Sequence, residues 1–265
     1  MSKIHWGTNC MDCVEGLKLL KDESIDLTVT SPPYDNLRTY NGNIDQWNFD
    51  KFKEIAKELY RVTADGGVVV WIVADATIKG SETGTSFRQA LWFMDCGFNL
   101  HDTMIYAKAN PMPCKSKRYT PAFEYMFVFS KGQPKTFNPI MEDCKFAGKK
   151  SARTVIYADG TRKHYNKGFY KDTKVKRNVF EYNVGTGKGR GIKHPAVFPE
   201  QLANDHIVSW SNEGDVVLDP FSGSGTTHKM ALLNNRRFIG FEISQEYIDI
   251  ERKRLEDCGL WRYDY

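Results

Sequence analysis

The chain has 265 residues, of which 41% are apolar and 26% charged, and its net charge is +4. That composition excludes a disordered chain, and the length suits one large domain or one domain with an insert. No apolar run approaches the ~18 residues of a membrane span. The start, Met1-Ser2-Lys3-Ile4-His5-Trp6, lacks a signal-peptide pattern, so a cytoplasmic protein whose six cysteines are free thiols is expected.

Taken in chain order, the first third alternates strands and helices. Ile25–Thr30 is a short β-branched run stopped by Pro32-Pro33. Phe52, Ile55, Ala56, Leu59 and Tyr60 recur at helical spacing, which predicts a helix from Asp50, its N-cap, to Val62, with Gly66-Gly67 ending the unit. Val68–Val73 is a continuous apolar run, the mark of a strand buried on both faces of a parallel sheet. A helix over Phe87–Met94 and strands over Asn99–Lys108 and Phe123–Ser130 follow.

Residues 131–193 break this rhythm. Within 145–193 there are 14 Lys/Arg against 3 Asp/Glu, while the remainder holds 23 basic and 30 acidic residues. One segment thus carries all the positive excess, which points to a polyanionic partner or to a solvated surface insert. Regularity returns with a helix from Pro199 through Leu202, Ile207 and Trp210, then a strand Asp215–Asp219. A glycine-rich turn leads to a helix carrying Met230, Leu232 and Leu233. A strand Phe238–Phe241 ends at Glu242, and a closing helix spans Gln245–Cys258. The expected fold is α/β: one Rossmann-like doubly wound sheet built from 1–134 and 194–265, with a basic recognition insert over 135–193.

Two constellations carry chemistry. The first is Asp219-Pro220-Phe221-Ser222-Gly223-Ser224-Gly225-Thr226-Thr227 at a strand-to-helix junction. A P-loop would need Lys where Thr226 stands, and a dinucleotide fingerprint a third Gly where His228 stands. Asp219 would repel a phosphate and suits a ligand bearing an amine or a cationic centre. Glu242 is placed to accept both hydroxyls of a ribose. An adenosine with an amine and a positive centre, but no phosphate, describes S-adenosylmethionine; a purely structural turn is the competing reading. The second constellation is Ser31-Pro32-Pro33-Tyr34, directly after a strand, which read alone is equally well a structural turn.

Together these motifs resemble the β group of amino-methylating DNA methyltransferases. Ser31–Tyr34 matches the family's (Ser/Asp/Asn)-Pro-Pro-aromatic catalytic motif, and Asp219–Thr227 its Asp-Pro-Phe-x-Gly-x-Gly-Thr-Thr cofactor motif, in that order around a recognition region. Asp12-Cys13 before Glu15-Gly16-Leu17 resembles the segment touching the cofactor's adenine, with Met11 in place of the usual Gly. Lys108–Pro113 and Glu124–Lys131 resemble core segments that precede the recognition region. His194–Leu202 resembles the segment closing over the cofactor's methionine end. The resemblance implies catalysis and base binding by Ser31, Pro32, Pro33 and Tyr34. It implies S-adenosylmethionine held by Asp12, Cys13, Phe198, Asp219, Pro220, Phe221, Gly223, Ser224, Gly225, Thr226 and Glu242. Double-stranded DNA is the implied partner, with a homodimer and a cognate restriction endonuclease left open. Serine in the first catalytic position favours cytosine N4 over adenine N6.

The chemistry explains the residue types. A base amine is a poor nucleophile because its lone pair is delocalised into the ring. Hydrogen bonds to the Ser31 hydroxyl and the Pro32 carbonyl would turn that lone pair towards a methyl donor, with Tyr34 stacked on a flipped-out base. No metal is required. Lys163, Lys167 and Lys171, interleaved with Tyr157, Tyr165, Phe169 and Tyr170, fit a nucleic-acid surface, as do Lys188 and Arg190 in a glycine-rich loop. A small mini-core with a charged rim and a plain linker are the competing readings of those two stretches.

Other readings are weaker. Pro113-Cys114 matches the nucleophile pair of cytosine-C5 methyltransferases, but those enzymes carry a different motif order. Cys10 and Cys13 have CxxC spacing without a second pair to complete a zinc site. A methyltransferase acting on RNA or another amine, and a DNA-binding module without turnover, are the rivals from other classes.

Overall fold

The computed structural model describes residues 4–33, 47–114, 117–184 and 199–260. Tyr34, Lys188, Arg190 and Phe198 lie outside the described residues, as does the side chain of Lys167. The chain divides into two compact units, one built from 1–138 with 178–265 and one from Pro139–Arg177.

The larger unit contains β1 (Gly7–Cys10), α1 (Cys13–Leu19), β2 (Ile25–Thr30), α2 (Phe49–Val62) and β3 (Thr63–Val73). The two-residue strands β4 (Thr77–Ile78) and β5 (Ser81–Glu82) follow, then α3 (Thr85–Asp95), β6 (Asn99–Lys108) and β7 (Phe123–Ser130). The smaller unit holds β8 (Met141–Asp143), β9 (Lys150–Ile156), β10 (Arg162–Phe169) and β11 (Thr173–Val175). The larger unit resumes with β12 (Val179–Tyr182), α4 (Glu200–Trp210), β13 (Val216–Asp219), α5 (Thr226–Leu233), β14 (Arg237–Glu242) and α6 (Gln245–Asp257).

Eight strands form one sheet in the order β1-β14-β13-β2-β3-β7-β6-β12. Every neighbouring pair is parallel except the two made by β7, which runs antiparallel to both β3 and β6. The strands β1, β14, β13 and β2 therefore lie side by side with their carboxyl ends along one edge, where ligands of open α/β sheets bind.

The apolar pattern of β3 explains its place in the sheet's interior. Val69, Trp71 and Val73 join a core with residues of α1, α2 and α3, among them Leu17, Phe52, Ile55 and Phe93. Val68, Val70 and Ile72, the alternate positions, are equally buried, because both faces of the sheet are covered. The rings of Phe52, Trp71, Phe93 and Phe129 interlock at centroid separations of 4.6–5.7 Å, within the range of favourable aromatic pairs.

The structure shifts several expected boundaries. Asn48 rather than Asp50 caps α2, because its side chain accepts the Lys51 N–H at 2.9 Å while Asp50 falls in the first turn. Gly66-Gly67 does not end a unit. It lies inside β3, at a register shift against β2, and Gly66 adopts φ +72°. A Cβ on Gly67 would stand 2.7 Å from Thr63 Cγ2, so this is a bulge that only glycine fits. The strand β1 and helix α1 come from a stretch whose sequence pattern predicts no element.

The basic insert also divides differently from the expected 135–193. Its compact part is Pro139–Arg177, and Val179–Tyr182 returns to the main sheet as an edge strand paired with Ile105–Lys108. Its apolar positions Phe180 and Tyr182 are buried. A four-residue strand inside a polar, glycine-rich stretch is too short for periodicity to reveal.

Candidate functional site

Asp219, the last residue of β13, is buried, and its carboxylate is engaged by three protein donors. Its Oδ1 accepts from the Thr30 hydroxyl at 2.6 Å and from the Phe221 N–H at 3.0 Å. Its Oδ2 accepts from the Thr227 hydroxyl at 2.7 Å. Burial pushes the carboxyl up to about 6, against the pull of these hydrogen bonds. These three bonds hold the carboxylate in place whatever it meets on the ligand side. The carboxylate ties the end of β2, where the Ser31-Pro32-Pro33 corner begins, to the glycine turn and to the start of α5.

The turn itself is fixed from below. Arg254 of α6 donates to Ser224 O, to the Ser224 hydroxyl at 3.1 Å and to the Thr226 hydroxyl at 3.3 Å, and also pairs with Glu200, which binds Lys229 as well. The Ser224 and Thr226 side chains are thus buried and engaged by the protein, which leaves their backbone to face a ligand. Gly225 caps α5 in the left-handed region, φ +75°, without a side-chain cap. That leaves backbone N–H groups at the helix start to meet a ligand. Phe221 packs edge-on against Trp47 and Trp71, at 5.4 and 6.2 Å between centroids, and Pro220 is buried beside it.

Glu242 stands at the end of β14. One carboxylate oxygen accepts the Gly223 N–H at 3.0 Å and the other the Ser244 N–H at 2.8 Å, and burial raises the carboxyl above its usual range. An ionised carboxylate offers about four acceptor sites, so two such bonds leave capacity for a vicinal diol. On the next strand end, Asp12 caps α1 through the Val14 N–H at 2.8 Å and pairs with Lys51 of α2 at 2.6 Å. Cys13 is buried, and burial pushes its thiol up to about 12, far from a thiolate nucleophile or metal ligand at neutral pH.

Sequence reading missed several residues of this edge. Lys51, Trp47 and Arg254 carry no motif signal of their own, and Thr30 and Thr227, beside and inside the two motifs, are given no role by that reading. Below the turn, Thr8 donates to Glu251 at 2.7 Å and lies 3.0 Å from the Ser222 hydroxyl, while His228 also pairs with Glu251. The one available signal was His228 in place of a third glycine.

The structure thus brings together Ser31, Pro32 and Pro33, the turn Asp219–Thr226, Glu242, and Asp12 with Cys13, at the ends of four adjacent strands. Lys163 and Lys171 are exposed residues of the separate unit Pro139–Arg177. Among the described residues, no group of three His, Cys, Asp or Glu side chains is placed to hold a metal. No described helix is long and apolar enough to cross a membrane.

The sheet order, the single antiparallel strand and the glycine turn facing an acid on the next strand define a Rossmann-like methyltransferase fold. Comparison with known proteins gives the family. The DNA methylase family profile matches residues 25–253. The chain is 54% identical over 245 residues to the orphan methyltransferase M.BamHII of Bacillus amyloliquefaciens, covering 89% of this chain and 90% of that protein. Among solved structures, PvuII DNA methyltransferase (cytosine-N4-specific) superposes with a TM-score of 0.69 at 24% identity, over 92% of this chain and 84% of that one. TTHA0409 of Thermus thermophilus, solved with S-adenosyl-L-methionine, superposes with a TM-score of 0.64 at 22% identity, over 96% and 94%. The chain belongs to the N6/N4 DNA methylase family, and is a DNA methyltransferase that uses S-adenosylmethionine.

Proposed function

We propose that the protein methylates the exocyclic N4 amine of cytosine in double-stranded DNA at a specific sequence. The observation that carries this reading is the Thr30–Asp219 hydrogen bond, which sets the Ser-Pro-Pro corner and the glycine turn against each other on one sheet edge. The choice of cytosine rests on Ser31 in the first position of the catalytic motif.

S-adenosylmethionine supplies a methyl group activated by a sulfonium. Glu242 takes the ribose hydroxyls with its remaining acceptor capacity, and the backbone from Gly223 to Thr226 lines the turn. Asp12 and Cys13 lie at the adenine end, with Phe198 closing the other end. Asp219, Ser224 and Thr226 also hold the shape of the turn, and Pro220 and Phe221 wall it. The Ser31 hydroxyl and Pro32 carbonyl accept hydrogen bonds from the target amine and orient its lone pair. Pro33 stiffens the corner, and Tyr34 stacks on the flipped base, a contact worth about 1–3 kcal/mol. Ser31 is positioned to hold the amine, and no covalent enzyme intermediate is needed, so preorganised dipoles and positioning supply the rate. Lys163, Lys167, Lys171, Lys188 and Arg190 contact the DNA backbone.

The test uses purified protein, labelled S-adenosylmethionine and duplex DNA of mixed sequence, followed by digestion to nucleosides and mass spectrometry. N4-methylcytosine is the expected product. N6-methyladenine would move the substrate to adenine, and an absence of label in any DNA would refute the activity. The homodimer and the cognate endonuclease are separate proposals, read by sedimentation of the purified chain and by assay of its host for cleavage of unmethylated DNA.

A further inference from the structure

The unit Pro139–Arg177 is built around an antiparallel ribbon of two strands, β9 and β10, joined by a tight turn at Tyr157–Thr161. None of the ribbon residues whose side chains are described is buried. A two-stranded ribbon exposed on both faces gains little from burial, so folding alone does not account for its side chains.

The register sorts those side chains into two faces. Tyr165 pairs with Arg153 and Lys163 with Val155, so these four share one face. That face is consolidated on itself. The Tyr157 and Tyr165 hydroxyls are 3.0 Å apart, and the Lys163 ammonium lies 5.7 Å from the Tyr165 ring centroid. Val155 is partly covered. The opposite face holds Ala152, Thr154, Ile156, Arg162 and His164. Thr154 and His164 are linked at 2.8 Å, which fixes the imidazole, and Ile156 is 64% exposed. Ala152 and Thr154 are small, so Ile156, Arg162 and His164 project furthest from that face.

Charge and size agree on the partner. Residues 145–171 hold eight Lys/Arg and one acid, Asp159. Asp159 is folded back on its own turn by the N–H and hydroxyl of Thr161, which also hold its carboxyl below the usual range. Seven residues of strand extend about 23 Å at ~3.3 Å per residue. The major groove of B-DNA, about 12 Å wide, admits a two-stranded ribbon.

The geometry points to β9–β10 as a ribbon that enters the DNA major groove. The Thr154–Ile156–Arg162–His164 face meets base edges, and Arg153 and Lys163 meet phosphates. Arg162 offers a fork of donors suited to guanine O6 and N7, and Ile156 an apolar surface suited to a thymine methyl. This assignment rests on the reading of duplex DNA as substrate.

The experiment begins by mapping the wild-type site through sequencing of methylated random duplexes. Arg162→Ala and Ile156→Ala are then compared with Lys163→Gln, with S-adenosylmethionine affinity as the check on folding. The base-facing variants are expected to relax preference at one or two positions of the site by at least fivefold, at unchanged cofactor affinity. Lys163→Gln is expected to weaken all sequences equally and to reduce the slope of log affinity against log salt by about one. Wild-type site preference in both Arg162→Ala and Ile156→Ala would overturn the inference. So would a uniform, salt-linked loss in Arg162→Ala, which would make it a phosphate contact. Failure of the wild type to methylate any duplex would instead refute the activity on which the inference stands.

Discussion

Thr30 donates its hydroxyl to Asp219 across 189 residues of chain, at 2.6 Å and out of contact with solvent. The pair joins two parallel neighbours, β2 and β13, at the point where each turns into a loop of the proposed site. A buried charged acceptor with several donors stabilises only while every donor stays in place, so Asp219 specifies the mutual position of the two loops.

The pH dependence of this carboxyl has a definite sign. Its folded value, about 6, lies above its ordinary value of 3.8, because burial disfavours the charged form. The folded state therefore binds more protons than the unfolded state between those values. The stability this group contributes is complete at low pH and is lost as pH rises towards 6, by about 3 kcal/mol at most. In Asp219→Asn, the Thr227 hydroxyl can accept from the new amide and turn its proton to Val29 O, 3.2 Å away. Urea unfolding at several pH values should show the slope between about pH 4 and 6 reduced in the variant relative to wild type. Identical slopes would place the titration elsewhere.

Removal of the proposed catalytic hydroxyl should separate chemistry from cofactor binding. Ser31→Ala loses an acceptor that orients the target amine and touches no cofactor group in the proposed arrangement. One lost charge-developing hydrogen bond of about 1.5–3 kcal/mol lowers the single-turnover rate roughly 10- to 150-fold. The dissociation constant for S-adenosylmethionine, read by calorimetry, should stay within about twofold. An unchanged rate would remove Ser31 from the site.

Glu242→Ala is expected to do the reverse. Loss of the carboxylate proposed to accept both ribose hydroxyls should weaken cofactor binding by about 10- to 100-fold. The Gly223 and Ser244 N–H groups lose their acceptor as well. Glu242→Gln keeps acceptor capacity for one of them, so it should fall between wild type and the alanine variant. Equal affinity in all three proteins would place the ribose elsewhere.

The legible parts of the chain were those where one residue type has one physical use. Runs rich in β-branched residues showed β2, β3 and β13, the apolar Phe238-Ile239-Gly240-Phe241 showed β14, and the glycine turn showed the junction of β13 with α5. The protein partners of Asp219 were not legible, for a specific reason. A carboxylate beside a glycine turn looks the same in sequence whether or not it also anchors protein donors, and only the positions of Thr30 and Thr227 show that it does. The same holds for Ser224 and Thr226, whose partner Arg254 is about 30 residues away with no pattern linking them. The edge strand β12 was missed because its four residues, alternately exposed and buried, sit within a polar, glycine-rich stretch, and β1 because Gly7-Thr8-Asn9-Cys10 holds no apolar run.

The last prediction concerns the floor of the glycine turn. A Cβ on Gly225 would overlap Glu251 Cγ, and the backbone there has φ +75°. Gly225→Ala should therefore cost both steric overlap and left-handed strain, together about 2–4 kcal/mol. The two contributions separate in a double-mutant cycle. Glu251→Ala removes the atoms in conflict, and by itself it strips Thr8 and His228 of their shared acceptor. If the steric term dominates, the double variant is more stable than the sum of the single losses by about 1–2 kcal/mol. Urea unfolding of the four proteins at one pH reads this directly. Strict additivity would mean that the turn needs glycine for its backbone angle alone, with Glu251 free to move aside.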